Sequence, residues 1–263
     1  MTRARRPNTV CRVIAEEGAM SQALIISHGQ PSDPAPAEAA LAALAARVAE
    51  HLPGWQVGSA TLAAPGALDQ AVRSLGPQGR AYPLFMAGGW FTRVQIPTRI
   101  AATGATGWQV LEPLGCDPAV HDLAVRLVRE AAPDSVLLAA HGSFKSAVPS
   151  AIARHVAARI AAETGIRAEA AFIDQDPQLE RATGHGPGAL CLPFFAAEGG
   201  HVTEDIPAAL AKAGFQGRVL PALGLADEIP ALIARAILAG NPVCMQDCRW
   251  LGARAAGSAA QTV

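Results

Sequence analysis

The sequence predicts an α/β protein built from two similar halves, each a parallel sheet covered by helices on both faces. Two observations lead there. Short apolar runs of strand length alternate with longer segments of helical periodicity, the pattern of a parallel sheet whose crossovers are helices. The chain also repeats itself: residues 23–52 resemble 135–165, residues 82–100 resemble 192–210, and residues 112–128 resemble 221–237. His28 and His141 lie 113 positions apart, Pro83 and Pro193 110, and Gly115 and Gly224 109. Three matches in one order at nearly one offset indicate a duplicated domain.

The elements follow in order. Residues 1–21 read as a tail, basic at its start and lacking the apolar run of a secretory signal; either Met20, which opens MSQALIISHG, is the natural start, or residues 1–19 form a loose tail. Residues 22–132 make the first half, 133–240 the second, and 241–263 a C-terminal tail. In the second half SVLLAA at 135–140 reads as a strand and HGSFKS as a turn. From Ala147 to Thr164 the apolar residues Val148, Ile152, Val156 and Ile160 recur at helical spacing, and Gly165 stops the helix. AEAAFI, ALCLPFF and RVLP read as further strands, each followed by a helix-like segment. Pro83 and Pro193 fall in such runs, where a proline loses a ladder bond, and mark strand ends opening towards a site.

Composition excludes several classes of function. With 51% hydrophobic and 16% charged residues, the chain has the material for a buried core rather than for disorder. Lys and Arg total 21 against 22 Asp and Glu, so neither nucleic acid nor an anionic membrane is indicated as a partner. No apolar run approaches the roughly 18 residues of a membrane-spanning helix. Five scattered cysteines, an odd number, do not make a disulfide framework, and the expected compartment is the cytoplasm. Cys244 and Cys248 are spaced C-x3-C; two thiols fall short of the four ligands usual for zinc or iron–sulfur sites, so no cluster is expected. The sequence does not fix the oligomeric state.

Parallel sheets place ligands outside the carboxyl ends of their strands, and chemistry-bearing residues collect there. His141 ends the first strand of the second half in A-A-H-G-S, where Gly142 permits a sharp turn and Ser143 is placed to cap the next helix. His201 follows Gly199-Gly200 after the LCLPFF strand. Two imidazoles on one rim suit Fe, Co, Ni or Zn and leave coordination positions for a substrate. A single histidine after a strand is more often a packing residue; two at matching rim positions shift the balance towards function. Asp174, at the end of FIDQDPQ's strand, is placed to add a ligand or accept a proton. Asp176 reads as a turn or helix-capping residue, and Glu204 and Asp205 as first-turn helix residues favoured by the macrodipole, with support of the site as the other reading. Lys145 is solvated and positioned to meet an acidic substrate. His51, His121, His155 and His185 are expected at the surface. The first half keeps His28-Gly29 but carries Gly88-Gly89-Trp90-Phe91 where the second has Gly-Gly-His, so Phe91 stands opposite His201 in an ungapped match. One histidine beside Trp90 and Phe91 is a poor metal site and a good wall for a flat apolar ligand.

Strand–His141-Gly142-Ser143, followed by Pro193-x-Phe195-x-x-x-Gly199-Gly200-His201-x-x-x-Asp205-Ile206-Pro207, resembles the class II tetrapyrrole chelatases, the sirohydrochlorin cobaltochelatase and ferrochelatase group of CbiX and SirB type. The resemblance covers residues 22–240. It implies two halves facing across a cleft, and insertion of Co2+ or Fe2+ into sirohydrochlorin, without ATP, on the route to cobalamin or sirohaem. It further implies His141 and His201 as metal-binding and catalytic residues, with Asp174 as the acidic group. Ser143, Lys145, His28, Trp90 and Phe91 then belong to the tetrapyrrole-binding surface. Some members carry a cysteine-rich tail, to which CMQDC bears a faint similarity. The chemistry agrees: two pyrrole protons must leave as the ion enters, and imidazole is a proton acceptor near neutral pH.

Two rival readings have distinct signatures. A carrier or sensor would bind metal or tetrapyrrole without turnover. A hydrolase would use Ser143 as nucleophile and His201 as base, but no Gly-x-Ser-x-Gly elbow is present. Nor is there a Walker-type phosphate loop, hence no expected use of ATP.

Overall fold

The computed structural model describes residues 21–245 and 248–251; the expectations for Met20 and residues 1–19 lie outside them. The first half runs β1 (Ser21–Ser27), α1 (Pro34–Ala49), β2 (Trp55–Thr61), α2 (Ala67–Leu75), β3 (Gln78–Pro83), α3 (Ile96–Ala102), β4 (Gly107–Val110) and α4 (Pro118–Ala131). The second runs β5 (Ser135–Ala140), α5 (Val148–Thr164), β6 (Arg167–Phe172), β7 (Ala189–Pro193), α6 (Ile206–Lys212), β8 (Arg218–Val219) and α7 (Ile229–Ala239). Each half holds a four-stranded parallel sheet, ordered β2-β1-β3-β4 and β6-β5-β7-β8. The same order twice is the duplication made visible.

The alternation along the central strands explains the layering. In β1, Ala23 and Ile25 enter one core while Leu24 and Ile26 enter another against α2 and α3. In β5, Val136, Leu138 and Ala140 join the first of these cores, and Leu137 and Ala139 pack towards α6. That first core is continuous through the molecule, because α4 packs on α5 and α1 on α7. Each fully buried Val, Leu or Ile contributes roughly 1.5–3 kcal/mol, so the two halves share their main source of stability.

Local signals fix the element ends. Prolines occupy the first turns of α1, α3, α4, α5, α6 and α7, where a missing N–H costs nothing. Asp117 caps α4 by accepting from the Ala119 amide at 2.8 Å. Gly165 ends α5 at φ 72°, a backbone conformation that other residues adopt at a cost. Pro83 and Pro193 are the last residues of β3 and β7, as expected.

Three expectations need correction. Ser143 does not cap α5: its Oγ accepts from the amides of Lys145 at 3.1 Å and Ser146 at 3.2 Å, closing a turn before the helix begins at Val148. β6 is followed by only a short 3-10 turn, Leu179–Arg181, where the first half has α2; the Gly- and Pro-containing stretch 184–188 carries no helix. His121 and His185 are buried rather than at the surface. His121 Nε2 bonds the Gly115 carbonyl at 2.8 Å, while the His185 ring lies between Ser135 Oγ at 3.1 Å and Glu169 Oε1 at 2.8 Å. Both ring nitrogens of His185 are thus partnered, which makes its burial tolerable, whereas His121 has a partner at Nε2 alone. His51 is exposed and His155 half-buried.

Beyond α7 the chain returns to the first half. Pro242 bridges Leu111 in antiparallel fashion, Val243 donates to the Val110 carbonyl at 3.0 Å, and Arg249 pairs with Glu112 at 2.9 Å. Among the described residues no helix is long and apolar enough to cross a membrane.

Candidate metal centre

The carboxyl end of β5 delivers His141 to the rim, and Gly142 turns the chain there at φ 72°. A side chain in place of the Gly142 hydrogen would meet Gln175 at 2.6 Å. Gln175 Oε1 in turn accepts from the Ser143 amide at 2.8 Å, so the turn after His141 is tied to the loop after β6. That loop carries Asp174, whose amide donates to the His141 carbonyl at 2.9 Å. Beyond β7, Gly199 and Gly200 lead into a π-helical turn, His201–Asp205, which runs on into α6. Wide turns of this kind recur at functional sites.

These elements bring the two predicted imidazoles together. The His141 and His201 ring centroids lie 4.6 Å apart, with the planes at 85°. Each ring is held through Nδ1. His201 Nδ1 bonds Asp205 Oδ2 at 2.6 Å, while His141 Nδ1 lies 3.0 Å from the Gly142 carbonyl and 3.5 Å from Asp174 Oδ2. Engagement of Nδ1 leaves Nε2 of each ring to meet an ion, the arrangement in which a carboxylate orients a metal-binding histidine. Among the described residues no three His, Cys, Asp or Glu side chains converge to hold a metal ion. The carboxylates brace the rings from behind, and an ion between them would retain open coordination positions.

A cavity of about 310 Å3 opens beside the pair, lined by Asp174, His201, Asp205, Ile173 and Lys212 among others. Lys212 is paired with Glu180 at 3.0 Å. Ser143 is half-buried in its turn, and Lys145 stands exposed beside Phe144, which is 80% exposed. Asp176 is exposed and offers its carbonyl to Arg154 at 3.2 Å.

The first half repeats the frame with other side chains. His28 follows β1, and a second π-helical turn runs Phe91–Gln95. The His28 and Phe91 rings lie 5.0 Å apart at 88°, close to the geometry of His141 and His201. Ala63 donates to the His28 carbonyl at 2.9 Å, just as Asp174 does to that of His141. Phe91, Ala63 and Gln95 therefore occupy the places of His201, Asp174 and Asp205. Phe91 packs against His28, Phe85 and Trp90, whereas Trp90 is 61% exposed.

Sequence reasoning undervalued Asp205. The signal was present as His-x-x-x-Asp, an i, i+4 pair on one helical face. It also missed Gln175, whose contact with the Ser143 amide depends on tertiary structure.

The fold is that of the two-half chelatases. SirB of Bacillus subtilis, solved with Fe3+, superposes with a TM-score of 0.64 at 14% identity, over 84% of this chain and 96% of that one. The sirohydrochlorin chelatase SirB of Bacillus subtilis subspecies spizizenii, in complex with cobalt, gives 0.61 at 16% identity, over 84% and 95%. A structure described as CbiX, the terminal enzyme for biosynthesis of siroheme in denitrifying bacteria, is 47% identical, with a TM-score of 0.77 over 83% of this chain and 98% of that one. The sequence profile of the CbiX family matches residues 22–131 and 135–239, once in each half, and the chain belongs to that family. Comparison with the curated proteins gives no match.

Proposed function

We propose that this protein inserts a divalent metal ion, Co2+ or Fe2+, into sirohydrochlorin without ATP, with His141 and His201 of the second half, residues 133–240, delivering the ion. The observation that carries the reading is the ring pair at 4.6 Å with both Nδ1 atoms engaged. The role of the 47% identical relative in siroheme biosynthesis favours sirohydrochlorin as substrate and Fe2+ as the ion.

The exchange balances. The two Nε2 atoms hold the ion until the pyrrole nitrogens replace them. As each imidazole lets go, its Nε2 accepts a proton leaving a ring N–H, so two protons come out as one dication goes in. Asp205 and Asp174, next to the two rings, stabilise the imidazolium ions that result. Ser143 braces the turn behind His141, and exposed Lys145 faces the carboxylates of the substrate. In the first half, residues 22–132, Trp90 offers an exposed face to the macrocycle, with Phe91 against it and the exposed His28 ring edge-on to Phe91.

The test is an anaerobic absorbance assay of metal entry into sirohydrochlorin, with and without protein and with and without ATP. The expected result is nucleotide-independent acceleration, abolished by His141→Ala or His201→Ala and largely retained by His28→Ala. Binding without acceleration would make the protein a carrier. Equal loss in all three variants would overturn the confinement of the site to the second half.

A further inference from the structure

Exposed hydrophobic side chains scattered singly over a surface are ordinary, but one of them stands on the turn that follows His141. Phe144, at 80%, is the most exposed large hydrophobic among the described residues, and it belongs to none of the three cores. Its turn is pinned from both ends. Gln175 Oε1 accepts from the Ser143 amide, Ser143 Oγ accepts from the amides of Lys145 and Ser146, and Ser146 Oγ accepts from the Val148 amide at 3.3 Å. Folding Phe144 inward would break these bonds. The first half has no counterpart, since Pro31 stands three residues after His28 where Phe144 stands three after His141. Conversely, Trp90 of the first half answers to Gly200 in the second. Each half thus presents one exposed Phe or Trp among the described residues, at places that the duplication does not repeat.

We propose that Phe144 is a binding residue for the tetrapyrrole, its ring lying against the macrocycle on the His141 side of the site. The inference rests on the proposed metal insertion and adds to it a surface that holds the ring. Three residues of chain reach at most about 11 Å, so Phe144 is tethered close to His141. A macrocycle whose centre receives the ion from the His141 and His201 rings extends in its own plane over the rim around them. A Phe ring in contact with that flat conjugated surface takes apolar area of both out of water and adds the attraction between aromatic rings. Lys145, next in sequence and exposed, supplies a cation where the ring ends and its acid chains begin. Apolar ring and cation side by side suit a ligand that is flat and apolar at its centre and anionic at its edge. The metal ion alone meets neither of them.

Titration of metal-free sirohydrochlorin into the full chain, followed by absorbance, tests this together with calorimetric titration of Co2+. Phe144→Ala should weaken sirohydrochlorin binding by about 10-fold, while Phe144→Tyr, which keeps the ring, retains the native affinity. Co2+ affinity and the urea midpoint should match those of the native protein in both variants, because so exposed a side chain supports neither the ion nor the fold. Native sirohydrochlorin affinity in Phe144→Ala would overturn the inference and leave metal insertion standing, provided the native protein speeds metal entry. A loss shared by Phe144→Tyr, or matched by a loss of Co2+ affinity, would trace to the turn rather than to the ring and would overturn it equally. A native protein that neither binds sirohydrochlorin nor speeds metal entry would remove the insertion reading itself, and this inference with it.

Discussion

Each imidazole of the pair has its own carboxylate, and the two grips differ. Asp205 holds His201 at 2.6 Å, whereas Asp174 stands 3.5 Å from His141, which also leans on the Gly142 carbonyl. A carboxylate behind a metal-binding histidine sets ring orientation and raises ligand basicity, and its loss typically costs 10–100-fold in affinity or activity. Asp205→Asn should therefore lower Co2+ affinity by about 10-fold or more, and Asp174→Asn by less, since His141 retains its backbone contact. Titration calorimetry of the two variants checks the order, and a larger loss in Asp174→Asn would show that Asp174 meets the ion itself. The two histidines were legible because each follows a strand and adjoins glycine. Asp205 was legible only by spacing, because its place in a first helical turn already had an adequate explanation in the macrodipole. The return of the C-terminal segment, where Arg249 donates to the Cys116 carbonyl, was not legible at all, because nothing in the local pattern announces it.

The strand–loop–turn units that carry the rims are duplicated down to their tightest contact. Gly115 follows β4 and Gly224 follows β8, and a Cβ on either would lie 2.1 Å from a carbonyl oxygen, that of Met86 or Ala196. These carbonyls belong to the loops leading into the two π-helical turns, one ending at Phe91–Gln95 and the other at His201–Asp205. Alanine at either glycine forces its loop away, and overpacking of this kind costs about 1–3 kcal/mol. The two variants should lose similar stability in urea. Only Gly224→Ala should also weaken Co2+ binding, because its loop positions His201, whereas the loop at Gly115 positions Phe91. Equal loss of metal affinity in both would mean that the halves act on one ion together. The repeated Leu-Gly is plain in the sequence, and the parallel sheets follow from the apolar runs. The missing helix after β6 was less plain, since the segment after Phe172 is apolar enough in parts to suggest one, and only its glycines and prolines argue against it.

The halves and the C-terminal segment meet at one buried histidine, and that junction makes the whole molecule sensitive to acid. His121 on α4 lies 5.6 Å from His155 on α5 and 4.8 Å from Trp250 of the C-terminal segment, ring centroid to ring centroid. Its Nε2 bonds the Gly115 carbonyl, and its buried Nδ1 has no partner, so a second proton would place a charge against nothing that accepts it. Burial above all brings His121 down to about 4; the Gly115 bond works the other way, and the positive neighbours His155, Arg159 and Arg249 add smaller downward pushes. In the unfolded chain the imidazole titrates near its ordinary value of about 6.5. Between those two values the unfolded state binds the proton and the folded state does not, so stability rises with pH across that window. The stability present above about pH 6.5 is thus lost as pH falls towards 4, and this one group accounts for a loss on the order of 3 kcal/mol. Burial raises Glu112 as well, which works in the opposite sense at acid pH, so the native protein alone would blur the effect. Comparison with His121→Gln removes that ambiguity, because every other group titrates in both proteins. Urea unfolding at steps from pH 7.5 to 4.5 should show a stability difference between the two that shifts in favour of His121→Gln as the pH falls, with most of the change below about pH 6.5. A difference that stays constant over the range would mean that His121 takes up its proton in the folded protein as readily as in the unfolded chain, and that the junction of halves and C-terminal segment is not where acid acts.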